Sequence, residues 1–387
     1  MAVRARLLSW TAVLLLGAGA LARAQPAGDV TRAQPAVDPD ALPPVSPAVL
    51  PPVTVPRPVS APRVSPLRRA AAIGAALVPG AIIHGPGSYL VREPRAGHRL
   101  LVAGAIGVGA MIAGGTPIGL TGAHPTVTAL GTPVLVTGAG LLAVTWLADL
   151  WVAAGGPATV GSPRAPVPWV VEAGATYLRD PFRERGFTRV GAGVVLGRVE
   201  LGALGLVDVR GDALEVSGDA RVRVLGAPAT GAVVDDASRL VVRIGVRGRR
   251  DDADRLASLV GDLEVLGRLD LGRLEARLAG TFAELSTGVG VERVAYDAGP
   301  HDLGSLMLGG FAWGAYLGRR GEAALFYQHR RDHLAGGLSA GRAAGFLGSF
   351  GARADVRIAG PWAVRAGLEV GSGWVTTLAL AYQGGPR

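Results

Sequence analysis

The chain has 387 residues and a formal net charge of +9, and its arginines recur singly among acidic residues rather than in a stripe with aromatics, which argues against nucleic acid as a partner. All 39 basic residues are arginine, which excludes Schiff-base catalysis by lysine and the lysine of a phosphate-binding loop. The absence of cysteine excludes disulfides, thiolate chemistry and a lipoprotein acylation site.

The first residues have the pattern of a secretory signal. Arg4 and Arg6 precede an apolar run over 7–21, and a site of small residues ends at Ala24. We therefore expect residues 1–24 to be a signal peptide, cleaved after Ala24, that exports the protein. An uncleaved anchor is the alternative, although the apolar run is short for a membrane span.

A proline-rich segment follows over residues 25–66, with 12 prolines among mostly small apolar residues. Such a segment cannot fold on itself, so we expect a disordered linker of polyproline type with a reach on the order of 100 Å. A tether across the periplasm and a leader without a spanning role are both compatible with this composition.

Residues 67–156 form an apolar segment rich in glycine and alanine, for which we predict helices. Uncharged stretches over 100–120 and 131–148 each approach the length that a bilayer requires. Small residues that would let two helices approach closely are Gly104, Gly107, Gly138 and Gly140. Marginal membrane insertion and a helical hairpin packed against the periplasmic end of a barrel are both compatible with this segment.

The order of residues over 77–151 resembles the two-helix hairpin of the TM2 type. A turn with His84 and Tyr89 precedes Gly97 and a Leu-Leu pair, and Asp149 lies near the end of the second apolar stretch. The resemblance implies a helical hairpin. An ionisable residue in so apolar a run is usually paired or functional, and a cap at the helix end is the other interpretation of Asp149.

Residues 167–384 repeat one pattern, in which about ten residues alternate apolar and polar before a tight turn that contains glycine. In the clearest run, Leu214 and Val222 share one face while Glu215 and Arg223 share the other. This period of two is typical of antiparallel strands with one face in lipid and the other in a polar lumen. We therefore predict a mainly β fold, an antiparallel transmembrane β-barrel of about 12 strands (about 10 to 14), preceded by the Gly/Ala-rich helical hairpin.

Turn residues divide this region into strands and loops. The predicted strands cover 168–178, 187–197, 199–210, 213–224, 238–247, 258–270, 273–283, 303–317, 322–330, 344–358, 361–370 and 373–383. Longer loops over 179–186, 248–255, 284–302 and 331–343 would then lie on the outer side of the membrane, where such barrels carry them.

Charged residues on the polar faces of neighbouring strands are expected to form a charge ladder inside the barrel, because opposite charges on adjacent strands lie within reach of each other. This charge ladder comprises Arg221, Arg223, Arg239, Arg243, Arg247, Glu264, Arg268, Asp270, Arg273, Glu275, Arg277, Arg353, Asp355, Arg357, Arg365 and Glu369. A packed ladder would leave the lumen plugged or narrow. The alternative is a water-filled channel whose arginines select anions.

Aromatic residues near the strand ends are expected to lie at the two membrane–water interfaces. This aromatic girdle comprises Trp169, Tyr177, Phe311, Trp313, Trp362, Trp374 and Tyr382. A soluble β-sandwich is the alternative fold, but its buried faces are usually poorer in glycine, and the 59 glycines of this chain favour the barrel.

The run Phe-Tyr-Gln-His-Arg-Arg-Asp over 326–332 resembles uncharacterised Gram-negative outer-membrane β-barrel proteins. The resemblance implies an outer-membrane location without an assigned activity. On an extended strand His329 and His333 would lie about 13 Å apart, too far for one ion, so we expect a charged outer loop here and no metal site.

Together these patterns predict an exported outer-membrane β-barrel that acts as a non-catalytic envelope structural or interaction protein. We expect no cofactor, and we expect outer-membrane lipid and other envelope components as partners. A passive or anion-preferring pore for small solutes is the alternative, and an envelope hydrolase that uses the histidine-containing loop is a third hypothesis. The oligomeric state does not follow from the sequence.

Overall fold

A computed structural model describes residues 64–156, 161–163, 167–226, 236–253, 255–297, 301–330, 332–336 and 348–384. The predicted signal peptide and all but the last residues of the predicted proline-rich linker lie outside these described residues.

Twelve antiparallel strands form one closed barrel, in which each strand pairs with its sequence neighbours and the last strand pairs with the first. The strands are β1 (Trp169–Arg179), β2 (Glu184–Leu196), β3 (Val199–Asp208), β4 (Ala213–Leu225), β5 (Arg239–Asp251), β6 (Leu256–Asp270), β7 (Thr281–Tyr296), β8 (Asp302–Tyr316), β9 (Gly321–His329), β10 (Ser349–Ala359), β11 (Trp362–Val370) and β12 (Trp374–Gly384). The predicted fold class and strand number are confirmed. We call the end of the barrel with Trp169 and Gly384 the near end and the opposite end the far end.

The two faces of the barrel wall differ sharply in chemistry. Outward-facing Ile244, Val289 and Leu378 are each more than half exposed, whereas the inward-facing Glu215 and Asp262 are buried. Because side chains alternate along a strand, the period of two in the sequence becomes an apolar outer surface and an ionic interior. This is the arrangement of a membrane barrel and the reverse of a soluble sandwich.

One predicted strand is in the wrong place. Residues 273–283 mostly form short 3-10 turns, Leu271–Arg273 and Ala276–Leu278, and the real strand β7 covers most of the predicted loop 284–302. In the turns, charged and apolar residues alternate by chance and imitate a strand. In β7 the lumen side carries small residues such as Gly288, which weaken the alternation on which the prediction depended.

Among the described residues before the barrel, there are four α-helices: α1 (Pro66–Leu77), α2 (Pro86–Leu90), α3 (Pro94–Leu120) and α4 (Pro125–Ala153). The helices α3 and α4 are long and apolar enough to cross a membrane, and they form the predicted helical hairpin. A Cβ on Gly138 would lie 2.6 Å from the carbonyl oxygen of Gly107, so these two small residues allow the close packing of the helices.

The hairpin does not sit under the barrel. Gly140 of α4 packs against Phe311, and Val136 packs against Gly309, on the outward face of β8. Packing against the end of the barrel, one of the two arrangements that the sequence left open, is therefore wrong. The hairpin lies beside the wall, and only its base is at the near end.

Candidate functional site

Ion pairs in the lumen join strands that are far apart in the sequence. Glu172 of β1 accepts hydrogen bonds from Arg189 of β2 at 2.7 Å and from Arg365 of β11 at 2.5 Å. Arg365 also donates to Asp355 of β10 at 2.9 Å. This cluster therefore spans the seam between the first and last strands, where the barrel closes.

A second cluster lies on the opposite side of the lumen. Arg268 contacts Glu322 of β9 at 2.5 Å and Glu284 of β7 at 3.4 Å, and its guanidinium lies 3.6 Å from the centre of the Phe282 ring. Arg353 of β10 also pairs with Glu284. Arginine suits this position because its planar group can bind two carboxylates and stack on an aromatic ring at once.

A third cluster holds part of the β9–β10 connection inside the barrel. Arg247 of β5 donates to Asp332 at 2.9 Å, and Arg330 donates to both Asp332 at 2.9 Å and Asp262 of β6 at 2.8 Å. Each of these four side chains is less than a tenth exposed. Arg243 adds a contact with Asp262 at 3.0 Å, which joins this cluster to the β4–β6 wall.

The described residues of this connection, 332–336, lie in the lumen rather than in a charged outer loop as predicted. Leu334 and Ala335 pack with inward-facing Leu178, Leu206 and Val375 in one buried apolar cluster. Burial of these apolar groups and pairing of Asp332 offset the cost of bringing charge into the barrel. We call residues 332–336 the inward segment.

The charge of Asp332 is fixed by its neighbours. Burial opposes ionisation of its carboxyl, but the guanidinium groups of Arg247 and Arg330 outweigh burial and hold its pKa well below the usual range. The inward segment is therefore attached to the wall by a carboxylate that stays ionised at neutral pH.

A cavity of about 440 Å³ remains in the lumen beside the inward segment. Its wall includes four arginines and four acidic residues, namely Arg189, Arg247, Arg353, Arg365, Glu215, Glu322, Asp355 and Glu369. Apolar side chains such as Leu204, Leu206 and Leu334 complete the lining. The charged part of this wall suits water and small polar solutes, because it offers charges of both signs.

The two histidines of the predicted loop have different environments. His333 lines the cavity, and its Nδ1 lies 3.4 Å from Glu369. His329 pairs in register with Gly309 on the outward face and lies 3.1 Å from the hydroxyl of Tyr327. Among the described residues, no group of three or more metal-ligating side chains is arranged to hold an ion.

The strand registers place most of the predicted charge ladder on the inner face. These residues are Arg221, Arg223, Arg239, Arg243, Arg247, Glu264, Arg268, Asp270, Arg353, Asp355, Arg357, Arg365 and Glu369. Some of them pair between adjacent strands as expected, such as Arg243 with Glu264 and Arg365 with Asp355. Others also pair with more distant strands, such as Arg268 with Glu322.

The other three ladder residues lie in the β6–β7 turn and not in the lumen. Arg273 pairs with Asp236, Glu275 with Arg99 of α3, and Arg277 with Glu93. The prediction is wrong for these three because the strand assigned to them is a turn. Two of them attach the helices to the barrel instead.

The aromatic girdle is divided between the two ends and the helical hairpin. Trp169, Trp362 and Tyr382 form one outward cluster at the near end, with ring centres 4.9–5.5 Å apart. Tyr177 and Trp374 are exposed near the far end. Phe311 and Trp313 differ, because α4 covers them and Trp151 packs edge-on against Trp313 at 5.7 Å.

Several lumen residues did not enter the predicted ladder, including Glu172, Arg189, Glu284, Arg330 and Asp332. The alternation of β1 and β2 could have assigned the first two to the lumen. No local signal could have found Arg330 and Asp332 there, because their position depends on a connection that folds back into the barrel.

No protein-family model matches the chain, and no curated protein is similar to it in sequence. Among solved structures, the chain is similar to a KdgM porin in complex with disordered oligogalacturonate, at 6% identity and a TM-score of 0.37 over 56% of this chain and 99% of the porin. It is similar to Omp33 of Acinetobacter baumannii at 8% identity and a TM-score of 0.30, over 57% and 99% of the two chains. It is also similar to the β domain of the Bordetella autotransporter BrkA at 17% identity and a TM-score of 0.31, over 56% and 99%.

Proposed function

We propose that the protein is an outer-membrane barrel that passes small hydrophilic solutes through a lumen narrowed by its own inward segment. The observation that carries this proposal is the residual cavity of about 440 Å³, which is lined by charged side chains beside residues 332–336. Membrane barrels have a polar interior whether they are open or plugged, so it is the unfilled space, and not the charge alone, that favours passage of solutes.

The charge balance of the cavity bears on selectivity. Four arginines and four carboxylates line it, and each of them forms an ion pair, either within this set or with a neighbouring side chain of the lumen. Paired charges of both signs give a weaker net field than a ring of one sign. We therefore propose a narrow pore with little preference between anions and cations, rather than the anion-preferring pore of the sequence-based alternative.

Single-channel recording in planar bilayers tests the proposal. The wild-type protein should give small, stable conductance steps, and Asp332→Ala should give larger or noisier steps, because it removes the carboxylate that attaches the inward segment to Arg247 and Arg330. Asp252→Ala is the matched control, since Asp252 forms an exposed pair with Arg250 in the β5–β6 turn at the same end of the barrel. Silence of both the wild type and Asp332→Ala in bilayers that accept the folded protein would contradict a pore.

The second candidate is a non-catalytic structural or interaction protein of the envelope. It is favoured by the helical hairpin on the outer wall, a feature that a simple pore does not require. We propose no catalysis in either case, and His329 and His333 lie on opposite faces of the wall, which does not suit the hydrolase hypothesis.

A further inference from the structure

The outward face of β8 forms the contact surface for the helix α4, and we call this surface the seat. Gly309 lies at its middle, where a Cβ would come within 3.8 Å of the Cβ of Val136. Farther toward the near end, Phe311 fits against Gly140, and Trp313 meets Trp151. A glycine on each partner allows the wall and the helix to approach closely, as at interfaces between membrane helices.

The strands beside this seat carry exposed apolar side chains. Val289 and Val291 of β7 and Leu325 of β9 all face outward and are each about half exposed or more. The hairpin is thus flanked on both sides by the surface that faces acyl chains in a membrane barrel. A helix packed on β8 between these side chains is surrounded by the same acyl chains as the outer face of the barrel wall.

The free side of the hairpin is itself apolar. Its exposed large side chains are Leu101, Val102, Ile106, Val108, Ile112, Leu120, Leu130 and Val134. No charged residue occurs between Arg99 and Asp149. At 27 residues, α3 is about 40 Å long, which exceeds the hydrocarbon thickness of a bilayer.

The charged contacts of the hairpin are confined to its base. Arg99 pairs with Glu275 at 3.0 Å, and Glu93 pairs with Arg277 at 2.7 Å, both in the β6–β7 turn at the near end. Polar groups at one end of an apolar hairpin mark the level of the membrane interface, and the near-end aromatic cluster marks the same level on the barrel.

We propose that the α3–α4 hairpin lies in the same lipid layer as the barrel, seated laterally on β8, with acyl chains covering its free side. The exposed apolar side chains of the hairpin and of the wall then form one continuous lipid-facing surface. The Phe311 and Trp313 side chains then contact the helix α4 and are not part of the aromatic girdle.

The absence of native cysteine allows a direct test of the seat. The pair Val136→Cys and Gly309→Cys has a Cβ separation of 3.8 Å, within the range that a disulfide needs, and should cross-link in vesicles of bacterial outer-membrane lipid. Val134→Cys with Gly309→Cys is the control, because Val134 is exposed on the free side of the hairpin and should not cross-link. Equal yields from the two pairs would overturn the seat on β8.

A second experiment identifies what covers the free side. Spin labels on the single variants Ile106→Cys and Ile112→Cys should collide often with oxygen and rarely with a water-soluble nickel chelate in the same vesicles. Asp252→Cys, in an exposed turn, should show the opposite. Frequent nickel collisions at the hairpin would overturn the proposal in favour of water. Low collision rates with both reagents, or spin–spin broadening between copies, would overturn it in favour of a protein cover.

Discussion

At the scale of single residues, Asp149 shows how a buried charge is used in this chain. Its carboxylate is fully buried and accepts hydrogen bonds from the backbone N–H groups of Gly87 and Ser88 and from the Ser88 hydroxyl, at 2.6–3.1 Å. The sequence drew attention to Asp149 and left open a pair, a function or a cap. The structure shows that it caps α2 rather than the end of its own helix, and so ties α2 to α4.

We expect Asp149→Ala to loosen the helical segment by about 2 to 3 kcal/mol, since it leaves buried donors without an acceptor. Trypsin, which cleaves after arginine, should then cut faster at Arg92 in the turn between α2 and α3. Asp149→Asn keeps one acceptor oxygen and should be affected less. Cleavage of Asp149→Ala at the wild-type rate would contradict the capping role.

The ion pair of Asp332 gives a prediction about pH. A carboxyl whose pKa is lowered on folding contributes stability above its unfolded pKa of about 4, and the contribution is lost as the pH falls through the lower folded value. The inward segment should therefore stay attached at pH values down to about 4. Conductance steps of the wild type at that pH should equal those at neutral pH, with Asp332→Ala as the reference for a released segment. Steps at low pH that match those of this variant would contradict the prediction.

At the scale of the elements, the alternation of apolar and polar residues was sufficient to predict most strands and the inward face of each. The reason is that lipid on one side of the wall and a polar lumen on the other require this alternation. It failed at the β6–β7 turn, where Arg273, Glu275 and Arg277 alternate by chance. The alternation of apolar and polar residues could not predict the pairing of Arg268 with Glu322. These residues are 54 positions apart in the sequence, and they are brought together only by the registers of the three strand pairs from β6 to β9. Side-chain direction is local information, and the choice of partner is not.

The helical hairpin depends on close approach at glycine. A leucine at Gly138 would meet the backbone of α3 at Gly107 and Met111, so we expect Gly138→Leu to destabilise the α3–α4 packing by about 1 to 3 kcal/mol. Gly109→Leu in α3 is the control, since no neighbouring atom lies within 4 Å of a Cβ there. Thermal melting followed by helical circular dichroism should separate the two variants. Equal melting temperatures would show that the hairpin does not depend on this contact.

At the scale of the whole molecule, two kinds of membrane-compatible structure share one chain. The barrel satisfies its backbone groups by closing on itself, and the hairpin satisfies them within each helix. The sequence indicated both parts, but their side-by-side arrangement depends on Gly309, Phe311 and Trp313, whose pattern alone is that of an ordinary lipid-facing strand. The inward segment likewise occupies part of the lumen, which the alternation of the strands does not indicate.

The central claim is that the wall of this barrel separates lipid from an ionic lumen. Six single-cysteine variants along β12, at the consecutive positions 375–380, would carry a fluorescent bimane label in vesicles that contain brominated lipid. The account predicts quenching with a period of two, strong at Thr376, Leu378 and Leu380 and weak at Val375, Thr377 and Ala379. Uniform quenching along the strand, or quenching only by a water-soluble reagent at all six positions, would contradict it.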